Sequence, residues 1–88
     1  MYKSYLRAFD NYAQTSLKRV GHLKKISRYA SVINSKANQL IQRATENNVS
    51  ELPTLQKELF ESGRDYVRKF SELLKQTELE KRVRDSNK

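Results

Sequence analysis

The sequence predicts an all-α fold, drawn as a long antiparallel helical hairpin of coiled-coil character. Three features lead to it. Apolar residues recur at steps of three and four along most of the chain, the mark of one-sided helices. Helix breakers are scarce, with one proline and two glycines in 88 residues. A single polar break, Asn47-Asn48-Val49-Ser50, separates two long periodic segments. The expected organisation is one helical domain over residues 1–88, with a first helix at about 2–46, a turn at 47–50 and a second helix at about 51–84.

The first helix rests on a stripe of Tyr2, Leu6, Phe9, Ala13, Ser16, Val20, Leu23, Ser27, Ala30, Asn34, Ala37, Ile41 and Ala44. Its steps alternate between four and three without a slip, as in a heptad seam. Ile26, Ile33 and Leu40 widen the stripe on one flank, as Tyr5 and Tyr12 do nearer the start. From Ala30 onward its members are mostly small, so a packed helix approaches closely but buries little apolar area per turn. At about 25 cal/mol per Å² the hairpin alone is expected to be marginally stable. In this phase Tyr29 and Val32 project away from the seam, leaving Tyr29 available to stack on an unpaired base.

Gly21 opens an alternative. Lys18-Arg19-Val20-Gly21 also reads as a helix end, with bases in the last turn and glycine at positive φ. A three-helix bundle with a break at Gly21 would follow. The continuous helix is favoured because no Ser, Thr, Asp or Asn follows Gly21 closely enough to cap a new helix. An interior glycine opposite the seam costs only about 1 kcal/mol. At 1.5 Å per residue the two helices span roughly 67 and 50 Å, so about ten N-terminal residues overhang. That overhang holds Tyr2, Tyr5, Leu6, Phe9 and Tyr12. With no intramolecular cover they are the expected protein-interaction residues, since uncovered apolar clusters mark contact sites.

The second helix is expected to start at Ser50 as N-cap, with Glu51 in the first turn and Pro53 early enough that its missing N–H costs little. Its stripe is Leu52, Leu55, Leu59, Tyr66, Phe70 and Leu73, with Ser62 and Thr77 at the same spacing.

Charge is divided unevenly. Residues 1–45 carry nine Lys/Arg against one acid, Asp10, whereas residues 46–88 carry nine of each, so the formal +8 lies in the first half. On a continuous helix Arg7, Lys18, Lys25, Lys36 and Arg43 share a face, because separations of 7, 11 and 18 residues approximate whole turns. With Lys24 and Arg28 they form the expected anionic-partner-binding ridge. Such bases reach phosphates without reading sequence, and no recognition-helix motif accompanies them.

Other classes of function find little support. The chain has no cysteine, which excludes disulfides and thiolate zinc sites and is compatible with an intracellular, cytoplasmic setting. Apolar runs of two or three residues fall far short of the roughly 20 that span a bilayer, and no signal-peptide pattern is expected at the start. Membrane contact is disfavoured, because the polar face lacks a strip of bulky apolar residues. The one histidine, His22, sits among Lys18, Arg19, Lys24 and Lys25 and reads as a rim side chain. Glu51, Glu58, Glu61, Asp65 and Glu72 lack the Glu-x-x-His pattern of bundle metal sites and read as solvated acids. Gly21 and Gly63 stand alone, so there is no glycine-rich phosphate loop. No catalytic residue, metal or cofactor is expected. The expected function is a non-enzymatic assembly or adaptor module that binds another protein or a second copy of itself. The alternative is a sequence-nonspecific nucleic-acid binder that places the basic ridge on DNA or RNA.

Overall fold

The computed structural model describes residues 2–86, with side chains described for residues 2–83. Its regular structure is all helical: α1 (Tyr2–Lys18), α2 (Ile26–Glu46) and α3 (Leu52–Ser86). The described chain measures 60 × 18 × 18 Å.

The rod expected over residues 2–46 is instead two helices. After α1 the backbone tightens into three-residue turns: the Arg19 N–H donates to the Ser16 carbonyl (3.2 Å), His22 N–H to Arg19 (2.9 Å) and Leu23 N–H to Val20 (3.1 Å). Lys25 is extended, at φ −127° and ψ 138°, and α2 follows it without a side-chain cap. No glycine takes a positive φ, so Gly21 is not a left-handed cap either. Burial explains the reversal. An uncapped helix start costs about 1 kcal/mol, whereas covering one phenylalanine gains about 1.5–3 kcal/mol. Folding back covers Phe9 and Ala13 together, both buried in the core.

The pairings set the directions of the helices. Tyr5 meets Asn47, Tyr12 meets Lys36 and Ala13 meets Tyr29, so α2 runs antiparallel to α1. Tyr29 stacks on Phe70 with ring centroids 4.4 Å apart, while Phe9 meets the Tyr66 ring edge-on at 6.5 Å. The core is Phe9, Ala13, Tyr29, Ile33, Ala37, Leu40, Ala44, Leu55, Leu59, Tyr66 and Phe70. Gly63 is also buried and lies where the three helices converge: a Cβ there would stand 3.1 Å from Ile33 Cγ2 and 3.4 Å from Phe9 Cζ.

The break changes which face of α2 is buried. Tyr29 and Ile33, which the straight-rod phase puts outside the seam or on its flank, are fully covered, while Asn34 of the predicted seam is exposed. Tyr29 is therefore a core residue and not a stacking platform. Its hydroxyl donates to the Ala13 carbonyl at 3.4 Å, giving the buried O–H a partner.

The turn at 47–50 is where it is expected. Asn48 is left-handed, at φ 54°, its N–H donating to the Thr45 carbonyl and the Val49 N–H to Ala44 at 3.1 Å. This is a Schellman closure, with asparagine standing where glycine is commonest. α3 begins slightly later than expected, its first turn closed by Leu55 N–H on the Glu51 carbonyl at 2.9 Å, so Glu51 and not Ser50 holds the cap position. The overhang also moves. Phe70 is the last buried residue of α3, Leu74 is half-buried, and residues 75–83 are exposed. The unsupported segment is the C-terminal arm of α3, not the start of α1.

Burial leaves a mark on the titration of the core tyrosines. Desolvation first, and the neighbouring Tyr66 second, push Tyr29 from 10.0 up to about 12. Tyr66 is raised in the same direction by burial and then by its bond to Asp10. Each group holds its proton more tightly when folded, so its contribution is complete below pH 10 and is lost as pH rises towards the folded value. Urea melts from pH 8 to 12 are expected to lose stability above about pH 10. The Tyr29→Phe variant should lose about 2 kcal/mol less over that window, since at pH 12 the folded hydroxyl is itself half ionised. Equal losses in both proteins would place Tyr29 in water.

Candidate interaction surface

The N-terminal aromatic cluster is spent largely inside the molecule. Phe9 is buried at 1% exposure, and Tyr2, Tyr5 and Leu6 are half-buried against the core. The uncovered overhang on which their expected contact role rested is absent, because α1 folding back gives them intramolecular neighbours. The Asn47 side-chain amide donates to the Tyr5 hydroxyl at 2.7 Å, tying the start of α1 to the end of α2. Tyr12 alone of the set remains exposed, with the Lys36 ammonium 5.0 Å from its ring centroid.

The basic ridge does not survive as one row. Arg7 and Lys18 lie on α1, Lys24 and Lys25 on the connecting loop, and Arg28, Lys36 and Arg43 on α2, which runs the other way. All are exposed except Lys36, which is half-buried where it covers Tyr12. The reversal that buries Phe9 also divides these cations among three elements. What it creates instead is a groove between α1 and α2. One stretch, of about 410 Å³, has Tyr12, Leu23 and Val32 as its apolar floor with Arg19 and His22 at its edge. A second, of about 350 Å³, continues past Tyr12 and Val32 to Lys36 and Gln39. Neither stretch has an acidic side chain in its lining.

Asp10, the one acid of the first half, is held elsewhere. It accepts hydrogen bonds from the Tyr66 hydroxyl and from the Gln14 amide, the latter at 3.2 Å. It therefore links α1 to α3 and does not neutralise the groove. Glu58 of α3 is half-buried, and Glu61, Asp65 and Glu72 of α3 and its cap residue Glu51 are exposed. Among the described residues no group of three or more His, Asp or Glu side chains is placed to hold a metal ion. Among them also, no helix is long and apolar enough to cross a membrane.

The feature that sequence reasoning passed over is the arm. Leu79 and Val83 are 59% and 60% exposed, and Leu73 at its root is 42% exposed. Leu79 and Val83 are four residues apart and so lie on one side of the helix. They fall off the line of Leu55, Leu59, Tyr66 and Phe70, which was a signal available in the spacing. No protein-family description, no curated protein and no solved structure matches the chain.

Proposed function

We propose that this protein is a non-enzymatic helical assembly module, a three-helix bundle that associates with a second copy of itself through the arm of α3. The observation that carries the reading is a helix running well past its own core with Leu79 and Val83 in water. From Leu74 to Ser86 the arm is about 18 Å long. A helix of about 12 residues is marginal in water without packing on one face. Glu78 with Arg82 has the spacing for a helix-surface ion pair, but such a pair supplies only about 0.2–0.5 kcal/mol. A covering partner supplies what the arm lacks.

The competing nucleic-acid reading loses two of its supports, since the cations no longer form one ridge and Tyr29 is buried. A lack of cysteine fits assembly in a reducing, intracellular setting.

Sedimentation tests the reading. The native chain is expected to dimerise with rising concentration. The double variant Leu79→Ser/Val83→Ser is expected to stay monomeric while melting close to the native temperature, because neither side chain touches the core. Native protein that remains monomeric across the concentration series overturns the proposal.

A further inference from the structure

The arm and the groove lie at the same end of the molecule. Phe70, the last buried residue of α3, stacks on Tyr29 in the first turn of α2, so α3 leaves the core at the end where the α1–α2 connection lies, and the groove runs from that connection down to Gln39. Two copies facing each other through that end lay each arm alongside the other's groove. The lengths agree. The arm extends about 18 Å, and the groove, from Ser31 to Gln39 along α2, runs about 12 Å.

Their chemistry is complementary as well. Val83 shares one side of the arm with Glu72, Gln76 and Glu80, at helical steps of three, four and seven residues. Lys75, Glu78 and Arg82 surround Leu79 on the other side. The groove offers an apolar floor and the cations Arg19 and Lys36, and α2 extends the row with Arg28 and Arg43 at the steps that place them near Val32 and Lys36. Eight residues separate Glu72 from Glu80, and eight separate Arg28 from Lys36. Seated with Glu72 and Glu80 towards α2, the arm keeps Lys75 and Arg82 in solvent and covers Tyr12 and Val32 with Leu79 and Val83.

We infer that each copy inserts its α3 arm into the α1/α2 groove of the other, forming a two-fold dimer joined at the loop end. The inference rests on the self-association proposed above and names its partner surface. Symmetry doubles every contact, because the same arm and groove occur on both copies. The opposed charges set the orientation, penalising an arm that enters with Lys75 and Arg82 against Lys36.

The chain has no native thiol, which makes cysteine cross-linking a clean test. Full-length Gln39→Cys and Val83→Cys proteins, each shown by melting to be folded, are mixed and oxidised. A mixed disulfide joining position 39 of one chain to position 83 of the other, which the pairing of Glu72 and Glu80 with Arg28 and Lys36 brings level, is expected to dominate. Predominant pairing of Val83→Cys with itself overturns the inference in favour of arm-to-arm packing. Dimers by sedimentation without the mixed disulfide overturn it too, leaving self-association through another face. Monomers throughout remove both this inference and the reading it rests on.

Charge exchange supplies a second measurement. Glu72→Lys/Glu80→Lys and Arg28→Glu/Lys36→Glu are each expected to raise the dimer dissociation constant about tenfold or more. Mixed together, the two variants should pair with most of the native affinity. Failure of the mixture to recover overturns the proposed register. So does an Arg28→Glu/Lys36→Glu protein that dimerises normally but no longer retains a generic DNA duplex, which would assign the groove to nucleic acid.

Discussion

Replacing Phe9 by alanine is expected to destabilise the protein by about 3–5 kcal/mol, the cost of removing a buried phenylalanine and leaving a partly unfilled space. The ring is fully buried, meeting Tyr66 edge-on and lying beside Gly63 of α3. A chain of this size holds only about 5–13 kcal/mol in total, so the variant should be substantially unfolded at 37 °C. Tyr12→Ala provides the contrast. Tyr12 is 36% exposed and its particular partner is the Lys36 ammonium, an exposed cation–π contact worth about 0.5–1 kcal/mol. Urea melts followed by helical circular dichroism should separate the two variants by several kcal/mol. Equal and small effects would mean that Phe9 is not in the core and that α1 stands free, as a straight rod over residues 2–46 requires.

The second large effect is expected at Gly63. Glycine inside a helix ordinarily costs about 1 kcal/mol relative to alanine, so its presence in the middle of α3 calls for a packing reason. The reason is the close approach of Ile33 and Phe9, which leaves a Cβ at 3.1 Å and 3.4 Å from their nearest atoms. Alanine gains helix propensity and asks the Ile33 methyl to move a few tenths of an ångström, so Gly63→Ala should be near neutral. Leucine cannot be accommodated without separating the helices. Gly63→Leu is expected to lose about 3 kcal/mol, the upper part of the overpacking range, lowering the melting temperature by roughly 12–24 °C. Combining it with Ile33→Ala should cost less than the sum of the two single changes, since the smaller side chain vacates the space the leucine needs. Strict additivity in thermal melts would show that Ile33 and position 63 do not meet.

Much of the local structure is legible in the residues. The α3 stripe of Leu55, Leu59, Tyr66 and Phe70 is buried as its spacing requires. The turn at Asn47-Asn48 is legible for a chemical reason, since asparagine tolerates the left-handed conformation that a helix terminus uses. On α1, Phe9, Ala13 and Ser16 are covered in the predicted phase. The site was much less legible. Assigning Phe9 to an exposed contact and Arg7, Lys18, Lys25, Lys36 and Arg43 to one row both followed from carrying helical phase through residues 19–25. A local pattern reports periodicity on either side of a loop, but it contains no term for the free energy gained when the chain doubles back.

Composition and spacing therefore establish an all-helical chain, the place of the turn before α3 and the inward faces of α1 and α3, because these depend on interactions within a few residues. The reversal at 19–25, the inward turn of Tyr29, the space that keeps residue 63 a glycine, and the presence of an α1/α2 groove and an uncovered α3 arm come only from tertiary packing. There the burial of Phe9 and its neighbours, worth several kcal/mol, outweighs the roughly 1 kcal/mol cost of an uncapped helix start.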